Sequence, residues 1–303
     1  MKVWILTRKD VTDNDNETDY LLKNFKNTAH PAGIIYSEDL QFVIENNQTN
    51  LYYCGDLITE LPSVVLTRQG TLYSKNDLFK VMYLESRGVL CINSSIGMEL
   101  ASNKLKSYLM FAKNNLPVPK TLTLTEPVNR HLILEHFKFP VILKNALGSS
   151  GNSVYLCNNF DQLTRNIQIE RAGSKNRPAS EITFIVQEYI DFEVGADLRV
   201  YVVGGHAVLA IKRASVTGDF RANLSRGGIG QLYPVSNEIS ELAITATKCL
   251  GLEIAGVDLL FDHNGYRVCE VNYTPDLIKF DQLTETKVVE YIAGYVNEII
   301  NTR

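Results

Sequence analysis

The chain has 303 residues with an ordinary hydrophobic content of 45%, which suffices for packed cores and argues against a disordered protein. Its formal net charge of -4 is mild and its basic residues are scattered, so it lacks the basic surface that a nucleic-acid partner requires. The apolar run at residues 1–7 meets Arg8 and Lys9 at once, and it is too short for a signal peptide or a membrane span. We therefore expect a cytoplasmic protein with neither a nucleic-acid nor a membrane partner.

The cysteines are odd in number, widely spaced and without a Cys-x-x-Cys pair, so neither a zinc site nor a disulfide framework is indicated. We expect all of them to be small core residues in a reducing compartment. They are Cys54, Cys91, Cys157, Cys249 and Cys269.

The first third of the chain alternates short apolar strands with a helical pattern. Strands are predicted at residues 3–6, 34–36, 63–66 and 89–92, and a helix is predicted at 76–86. Such alternation is typical of a small parallel α/β domain. The polar residues 10–19 are expected to form a loop.

A helix is predicted over residues 97–114, because apolar residues recur at helical spacing and Pro117 and Pro119 follow. It would connect the first domain to a second region. That region has predicted strands at 141–143 and 154–157, a glycine turn at 148–151 between them, and a helix at 161–169.

Longer strands follow a polar stretch at residues 172–180. They are predicted at 184–188, 198–203 and 206–212, and Gly204-Gly205 is a hairpin signal because both turn positions can adopt positive φ. An amphipathic helix over 239–250 is stopped by Gly251, and strands at 256–261 and 266–271 precede a last helix at 285–300. This part of the chain is therefore predicted to be α+β with antiparallel sheets.

Asp258 and Glu270 lie on the last two predicted strands, and the length of the intervening loop decides whether their side chains meet. A two-residue loop that includes Gly265 pairs Leu259 with Glu270 and puts Asp258 on the opposite face. A three-residue loop with Gly265 in the left-handed conformation pairs Asp258 with Glu270 directly. Asn272 then lies on the same face as Glu270.

Two carboxylates and an amide in one patch suit a hard cation such as Mg²⁺, which also holds phosphate oxygens. The alternative is that these three residues are polar hairpin positions that face water. The strands around them are otherwise apolar, however, so charged groups there need a partner.

Lys144 ends an apolar strand, and a loop of glycine and serine residues begins at Gly148. Small residues let backbone N–H groups approach phosphate oxygens, while a lysine supplies a point charge. A glycine loop is weak evidence by itself, since most such loops are plain turns.

Several cations lie on or beside the strands that face the carboxylate hairpin. For Arg199 or Lys212 alone, a solvated strand edge is the expected setting. Arg213 and Arg221 are better candidates for stabilising charge on a transferred phosphoryl group.

The order of these motifs, from about residue 64 to the C-terminus, resembles the RimK-like branch of the ATP-grasp ligases. The motifs that carry the resemblance are Ser102-Asn103-Lys104-Leu105-Lys106-Ser107, Val141-Ile142-Leu143-Lys144, Val186-Gln187-Glu188-Tyr189-Ile190, Gly218-Asp219-Phe220-Arg221-Ala222-Asn223-Leu224, Ala255-Gly256-Val257-Asp258 and Glu270-Val271-Asn272. The resemblance implies an ATP-grasp fold of mixed α/β and α+β class. It implies a parallel α/β pre-ATP-grasp domain at residues 1–95 and two α+β subdomains that sandwich ATP, at 96–182 with the phosphate loop and at 183–303 with the metal site.

The resemblance also implies a role for individual residues. Catalytic roles would fall to Arg213, Arg221 and Asn223, with Arg213 and Asn223 facing an acyl phosphate. The ATP-binding residues would be Lys104 and Lys144 at the phosphates, Gln187, Glu188, Tyr189, Ile190 and Asp197 around the adenine and ribose, and Arg221. One or two Mg²⁺ or Mn²⁺ ions would be held by Asp258, Glu270 and Asn272.

The implied activity activates a carboxylate substrate as an acyl phosphate and joins it to an amine substrate. Within this family the usual reaction adds glutamate or another amino acid to a peptide, a protein or a small metabolite. Ser153, Tyr273 and Asp276 depart from the usual family residues. Ser153 could still close the phosphate loop, whereas Tyr273 and Asp276 lie beside the predicted metal site and leave the choice of substrate open. The formation of a homo-oligomer is also left open. The alternatives are a peptide-crosslinking ligase, a non-catalytic ATP-binding regulator and a kinase.

Overall fold

The structure is a computed structural model that describes residues 2–9, 15–26, 28–70, 75–147, 153–173, 182–222 and 228–303, without the side chains of residues 15, 16, 75 and 76. The predicted glycine turn at 148–151, Asn223 and most of the polar stretch at 172–180 lie outside these residues. In chain order the described residues form β1 (Val3–Thr7), α1 (Asp15–Phe25), β2 (Ala32–Tyr36), β3 (Leu40–Glu45), β4 (Gln48–Tyr53), β5 (Asp56–Leu57), β6 (Val64–Thr67), α2 (Lys75–Ser86), β7 (Leu90–Ile92), α3 (Ser95–Ala101), α4 (Lys104–Lys113), β8 (Thr121–Thr123), α5 (Arg130–His136), β9 (Val141–Asn145), β10 (Val154–Cys157), α6 (Phe160–Gly173), β11 (Phe184–Glu188), β12 (Ala196–Val203), β13 (His206–Ala214), β14 (Ile229–Tyr233), α7 (Asn237–Cys249), β15 (Ile254–Asp262), β16 (Gly265–Asn272), α8 (Ile278–Asp281) and α9 (Val288–Thr302).

The N-terminal strands form a parallel sheet in the order β2-β1-β6-β7. The prediction of a parallel α/β arrangement is therefore confirmed. The prediction of a loop over residues 10–19 is wrong from residue 15 onward, where α1 begins; residues 10–14 lie outside the described part. The helix forms because Leu21 and Phe25, one turn apart, are fully buried in the core.

A small antiparallel sheet, β3-β4-β5, is absent from the predicted elements. Its first turn contains Asn46 and Asn47, whose φ angles are 49° and 63°. Asparagine adopts positive φ more readily than most residues, so this Asn-Asn pair is a hairpin signal that the apolar pattern does not reveal.

The single helix predicted over 97–114 is two helices, α3 and α4, separated at Ser102 and Asn103. The side-chain oxygen of Asn103 accepts hydrogen bonds from the backbone N–H groups of Leu105 and Lys106 at 3.0 and 3.3 Å. This N-cap starts a new helix, because the side chain satisfies donors that a helix N-terminus leaves free. Lys104 therefore occupies the first turn of α4.

The described strands after residue 95 form two antiparallel sheets, as predicted. One has the order β10-β9-β11-β8 and the other has the order β14-β13-β12-β15-β16. The helix α7 packs on the larger sheet, with Ile239, Ala243 and Ala246 buried in the same core as Val200 and Val257.

The turn between β12 and β13 has the predicted Gly204-Gly205 sequence, with φ angles of 57° and 79°. A Cβ atom on Gly204 would clash with the ring of Tyr295, whereas a Cβ atom on Gly205 would meet open space. Gly204→Ala should therefore lower the free energy of unfolding by about 1–3 kcal/mol more than Gly205→Ala, since both variants share the φ strain and only one is overpacked. Urea denaturation of the pair measures this difference, and equal losses would contradict it.

A second hydrophobic core joins the two ends of the chain. Ile5 and Val64 of the parallel sheet pack in one cluster with Tyr201, Ile254 and Val288. The segments before residue 95 and after residue 183 thus share buried surface, and the division of the chain at these points stays a prediction. Among the described helices, none combines the length and the apolar character needed to cross a membrane.

Candidate functional site

A cleft with roughly 830 Å³ of open space lies among α4, β9, β12, β15 and β16. Eight of the residues selected from the sequence line this cleft. They are Lys104, Lys144, Tyr189, Ile190, Asp197, Arg221, Asp258 and Glu270.

The carboxylate hairpin has the register that a metal site needs, but the length of its loop is not what produces this register. Asp258 pairs with Glu270, and Gly256 pairs with Asn272. The loop consists of His263 and Asn264, since Asp262 pairs with Gly265, so neither of the two loops considered from the sequence forms. A register shift between Asp258 and Leu259 restores the pairing, and it has the form of a β-bulge.

The extra residue of this bulge is Cys269, and neighbouring elements bond the backbone around it. The hydroxyl of Tyr108 donates to the carbonyl of Cys269 at 2.6 Å, and the N–H of Val268 donates to the carbonyl of Pro117 at 2.8 Å. Cys269 and Glu270 both line the cleft although they are adjacent along the strand. Strict alternation would put one of them on the other face.

Asp258 is 5% exposed and belongs to a buried cluster of four charges. Arg199 binds it with Nε at Oδ1 and with Nη2 at Oδ2, the latter at 2.8 Å. Arg213 reaches Asp258 at 3.0 Å and binds Asp197 through two bonds of 2.7 and 2.6 Å. The sequence-based expectation that Arg199 is solvated is therefore wrong, because the guanidinium is buried against a carboxylate on the adjacent strand.

The electrostatics of this four-charge cluster keep Asp258 ionised. Burial alone would raise the pKa of Asp258, but the charges of Arg199 and Arg213 outweigh burial and hold the pKa below its ordinary value. Burial raises the pKa of Asp197, although Arg213 opposes this change. Gly256 makes room for the cluster, since a Cβ atom there would lie 2.9 Å from Cδ of Arg199.

Lys104 and Lys144 place positive charge beside the second strand of the carboxylate hairpin. Nζ of Lys104 lies 2.9 Å from Oε1 of Glu270, and Nζ of Lys144 lies 3.6 Å from Sγ of Cys269. Burial raises the pKa of the Cys269 thiol, so the neutral thiol is favoured. Cations and carboxylates thus alternate in the cleft, an arrangement that can hold phosphate groups together with a metal ion.

Residues 187–190, at the end of β11 and just after it, have two kinds of setting. Tyr189 and Ile190 line the cleft, where an aromatic and an aliphatic side chain can contact a flat ring. The Gln187 amide is buried and donates to Thr121 at 2.7 Å, and Glu188 accepts a bond of 2.7 Å from the Lys120 N–H. These two bonds connect the end of β11 to Thr121 of β8 and to Lys120 just before it.

Arg221 lines the cleft on a short segment after β13. Its Nη2 atom lies 2.6 Å from Oδ2 of Asp219, which also accepts from the backbone N–H of Arg221 through Oδ1 at 2.9 Å. Ser153 lines the same cleft, whereas residues 148–152 of the glycine loop and Asn223 lie outside the described residues. Arg213 lies behind Asp258 and is not part of the lining.

The donor set at the hairpin fits a hard cation. Glu270 is partly exposed and held by Lys104, and the Nδ2 atom of Asn272 is buried without a partner. The carboxylate of Glu270 and the side-chain oxygen of Asn272 are ligand types that a hard cation takes, whereas the Nδ2 group of Asn272 is a hydrogen-bond donor and needs an acceptor. Within the described ranges no group of three or more His, Cys, Asp or Glu side chains could hold a metal.

The sequence reading did not select Arg199 or Cys269 as site residues. The alternation of Asp197 and Arg199 on β12 places both on one face, which is a usable signal for Arg199. No sequence signal marks Cys269, because its position depends on the bulge. The expectation of five core cysteines is also wrong for Cys54, which is exposed.

Comparison with known proteins assigns the fold and the family. The model of the RimK-like ATP-grasp domain matches residues 101–296. A probable alpha-L-glutamate ligase of Haemophilus influenzae is 31% identical over 264 residues, which cover 86% of this chain and 83% of the relative. Human beta-citrylglutamate synthase B is 27% identical over 309 residues, which cover 99% of this chain and 78% of the relative.

The structure of the ATP-grasp ligase PsnB complexed with minimal precursor, Mg and ADP superimposes with a TM-score of 0.73 at 16% identity, covering 99% of this chain and 98% of that one. The predicted ATP-grasp fold is thereby confirmed. The chain therefore belongs to the RimK-like ATP-grasp family and is an ADP-forming ligase that makes carbon–nitrogen bonds.

Proposed function

We propose that this ligase uses ATP and Mg²⁺ to convert a substrate carboxylate to an acyl phosphate, and that it then joins glutamate or another amino acid to it as an amide. The observation that carries the proposal is the convergence of Lys104, Lys144, Asp258 and Glu270 in one cleft. The named activity of the glutamate-ligase relative supports glutamate as the first amine to test.

In the proposed reaction, a substrate carboxylate oxygen attacks the γ-phosphorus of ATP and ADP leaves. The amine nitrogen then attacks the acyl carbon, phosphate leaves with the electron pair of the broken C–O bond, and the amine loses a proton. Lys104 and Lys144 orient the phosphates, and positioning with charge stabilisation supplies most of the rate, so no side-chain nucleophile is needed. When bound at Asp258, Glu270 and Asn272, one or two Mg²⁺ ions would supply positive charge to the phosphate oxygens.

The role that we propose for Arg213 depends on its contact with Asp258. Nε of Arg213 bonds Asp197, its Nη2 contacts both Asp197 and Asp258, and its side chain is buried. Arg213 thus supports the proposal by fixing the hairpin carboxylate and by adding positive potential behind it. Direct contact with the acyl phosphate, which the resemblance implies, stays a prediction.

The test is an assay of the purified protein with ATP, Mg²⁺, L-glutamate and a panel of carboxylates that includes citrate, free amino acids and short peptides. We expect ADP, phosphate and an amide product detected by mass spectrometry. A stable phosphorylated product that forms without an amine would instead identify a kinase. Tight ATP binding with no turnover across the panel would overturn the ligase proposal.

Lys104→Met should lower kcat/KM for ATP in this assay by about a hundredfold, because it removes a cation from the phosphate site. Lys106→Met is the matched control, since Lys106 is two residues away on the same helix and pairs at the surface with Glu99 at 2.6 Å. That variant should stay within about twofold of the parent enzyme. An equal loss of kcat/KM in both variants would contradict the role of Lys104 at the phosphate site.

A further inference from the structure

Asn93 is a buried residue that directly follows β7 of the parallel sheet, and it is 1% exposed. Its backbone is attached to the end of β6. The hydroxyl of Thr67 donates to the carbonyl of Asn93 at 3.1 Å and accepts from the N–H group of Asn93 at 2.7 Å. The parallel sheet therefore determines where the side chain of Asn93 starts.

The side chain of Asn93 reaches the other end of the chain and bonds the backbone there. Nδ2 donates to the carbonyls of Ile254 and Tyr273, both at 2.7 Å. Oδ1 accepts from the N–H groups of Glu253 and Ile254 at 2.9 and 3.0 Å. Ile254 begins β15 and Tyr273 directly follows β16, so one amide connects both strands of the carboxylate hairpin.

This bridge lies where the pairing between the two strands ends. The last pair of β15 and β16 is Gly256 with Asn272. If the antiparallel pairing continued, Ile254 would lie opposite Thr274. The amide of Asn93 thus replaces the next bonds between the strands, and its contact at the Tyr273 carbonyl is one residue from Asn272, a proposed metal ligand.

The chemistry of an amide fits this position. An asparagine side chain has two N–H groups that donate and one oxygen that accepts two bonds, and Asn93 uses all four. An ionised carboxylate could not donate to the two carbonyls, and a leucine of similar size could make none of the bonds. A fully bonded buried group of this kind holds the backbone around it rigidly.

The place of Asn272 depends on how the end of the hairpin is held. Nδ2 of Asn272 is buried without a partner, so this group does not anchor the side chain and its backbone has more influence on its position. Groups that orient metal ligands from behind typically change metal affinity by about 10–100-fold. Asn93, Ile254 and Tyr273 lie outside the lining of the cleft, so they can affect a metal without contacting the nucleotide.

We propose that Asn93 is a positioning residue for the metal site, through which the parallel sheet sets the position of Asn272 relative to Asp258. The inference rests on the proposed function, because it takes the carboxylate hairpin as the site of the metal. Asn93 acts through the backbone of both hairpin strands and is not a catalytic residue.

The test compares two affinities of Asn93→Leu with those of the parent protein. One is the affinity for Mn²⁺ in the presence of ADP, followed by electron paramagnetic resonance, and the other is the affinity for ADP in the presence of a chelator. We expect Mn²⁺ to bind at least about tenfold more weakly and metal-free ADP to bind within about twofold of the parent. A loss confined to the metal is a result that a merely structural role would not give.

Asp281→Leu is the matched control. Asp281 is also 1% exposed, and its carboxylate likewise accepts from two consecutive N–H groups, those of Val288 and Val289, at 2.7 and 3.2 Å. It lies on α8, outside the lining of the cleft. Both variants should lower the melting temperature by about 5 °C or more, since each leaves buried N–H groups unpaired. The control should keep its Mn²⁺ affinity within about twofold of the parent.

The inference is overturned if Asn93→Leu binds Mn²⁺ within about twofold of the parent, or if its affinity for metal-free ADP falls as much as its affinity for Mn²⁺. Should Asn93→Leu fail to fold, Asn93→Ala decides by the same criteria, because it leaves space for water to reach the freed backbone groups while the direct bridge between the strands stays absent.

The ligation assay reports separately on the proposed function. A parent protein that binds Mn²⁺ with ADP but makes no amide refutes the ligation, and the Mn²⁺ comparison still decides the inference. A parent protein that ligates while Asn93→Leu keeps its Mn²⁺ affinity refutes the inference alone. A parent protein that binds no Mn²⁺ in the presence of ADP overturns both the metal site and the inference.

Discussion

Asp258→Asn is expected to abolish ligation and to lower the free energy of unfolding by about 3–5 kcal/mol, the usual cost of breaking a buried ion pair. In the native protein, Asp197 and Asp258 balance Arg199 and Arg213 within one buried cluster. The variant leaves two guanidinium groups with one carboxylate, so an uncompensated charge stays buried. The amide has only one oxygen that can accept a bond from Arg199, so Arg199 loses its two-point contact.

The matched control for this variant is Asp262→Asn on the same strand. Asp262 has a single arginine partner, Arg267, at 2.6 Å, and this pair is more exposed than the Asp258 cluster. We expect a loss of about 0.2–1 kcal/mol and near-normal ligation. Urea denaturation and the product assay measure both variants. If Asp258→Asn is no less stable than Asp262→Asn, the four-charge cluster does not support the hairpin as we describe.

Glu270→Gln is expected to lower kcat by about 10²–10³-fold, because it removes negative charge where a metal ion and a phosphate must meet. The bond between Lys104 and Glu270 is 2.9 Å, so the variant also releases this lysine. Loss of activity alone would not separate the two effects. A direct measure of metal binding is therefore required.

Mn²⁺ binding in the presence of ADP, followed by electron paramagnetic resonance, provides that measure. Glu270→Gln should weaken Mn²⁺ by at least about tenfold. Glu253→Gln is the control, since Glu253 is bonded to the Tyr295 hydroxyl at 2.8 Å and lies outside the cleft lining. Reduced activity with unchanged Mn²⁺ affinity would mean that Glu270 acts by holding Lys104 and is not a metal ligand.

Local sequence patterns predicted the elements that carry the site. Apolar runs marked β9 and β15, the Gly204-Gly205 pair marked a hairpin, and Lys144 was placed at the end of its strand. These features depend on neighbours within a few residues, so they can be read directly from the chain. The split between α3 and α4 is also local, and the Asn103 N-cap was its available signal.

The family motifs added roles that spacing alone could not provide. From the residues alone, the hairpin allowed two registers, and only one of them brought Asp258 beside Glu270. The structure has that register, produced by a bulge at Cys269 whose carbonyl accepts a bond from the Tyr108 hydroxyl, 161 residues away. No rule for loop length could include that contact.

By itself, the sequence determined the order and type of the main elements, the carboxylates of the hairpin and the lysines of the cleft, because side-chain alternation and turn preferences act over short distances. The tertiary structure decided which charges became buried partners. Arg199 and Asp258 are 59 residues apart and meet because β12 pairs with β15, and the Tyr273 hydroxyl bonds the carbonyl of Gly70, 203 residues away, because the segments after β16 and β6 contact each other. Strand pairing and burial fix the partner and the solvation of each charge, and neither is encoded by the local spacing of residues.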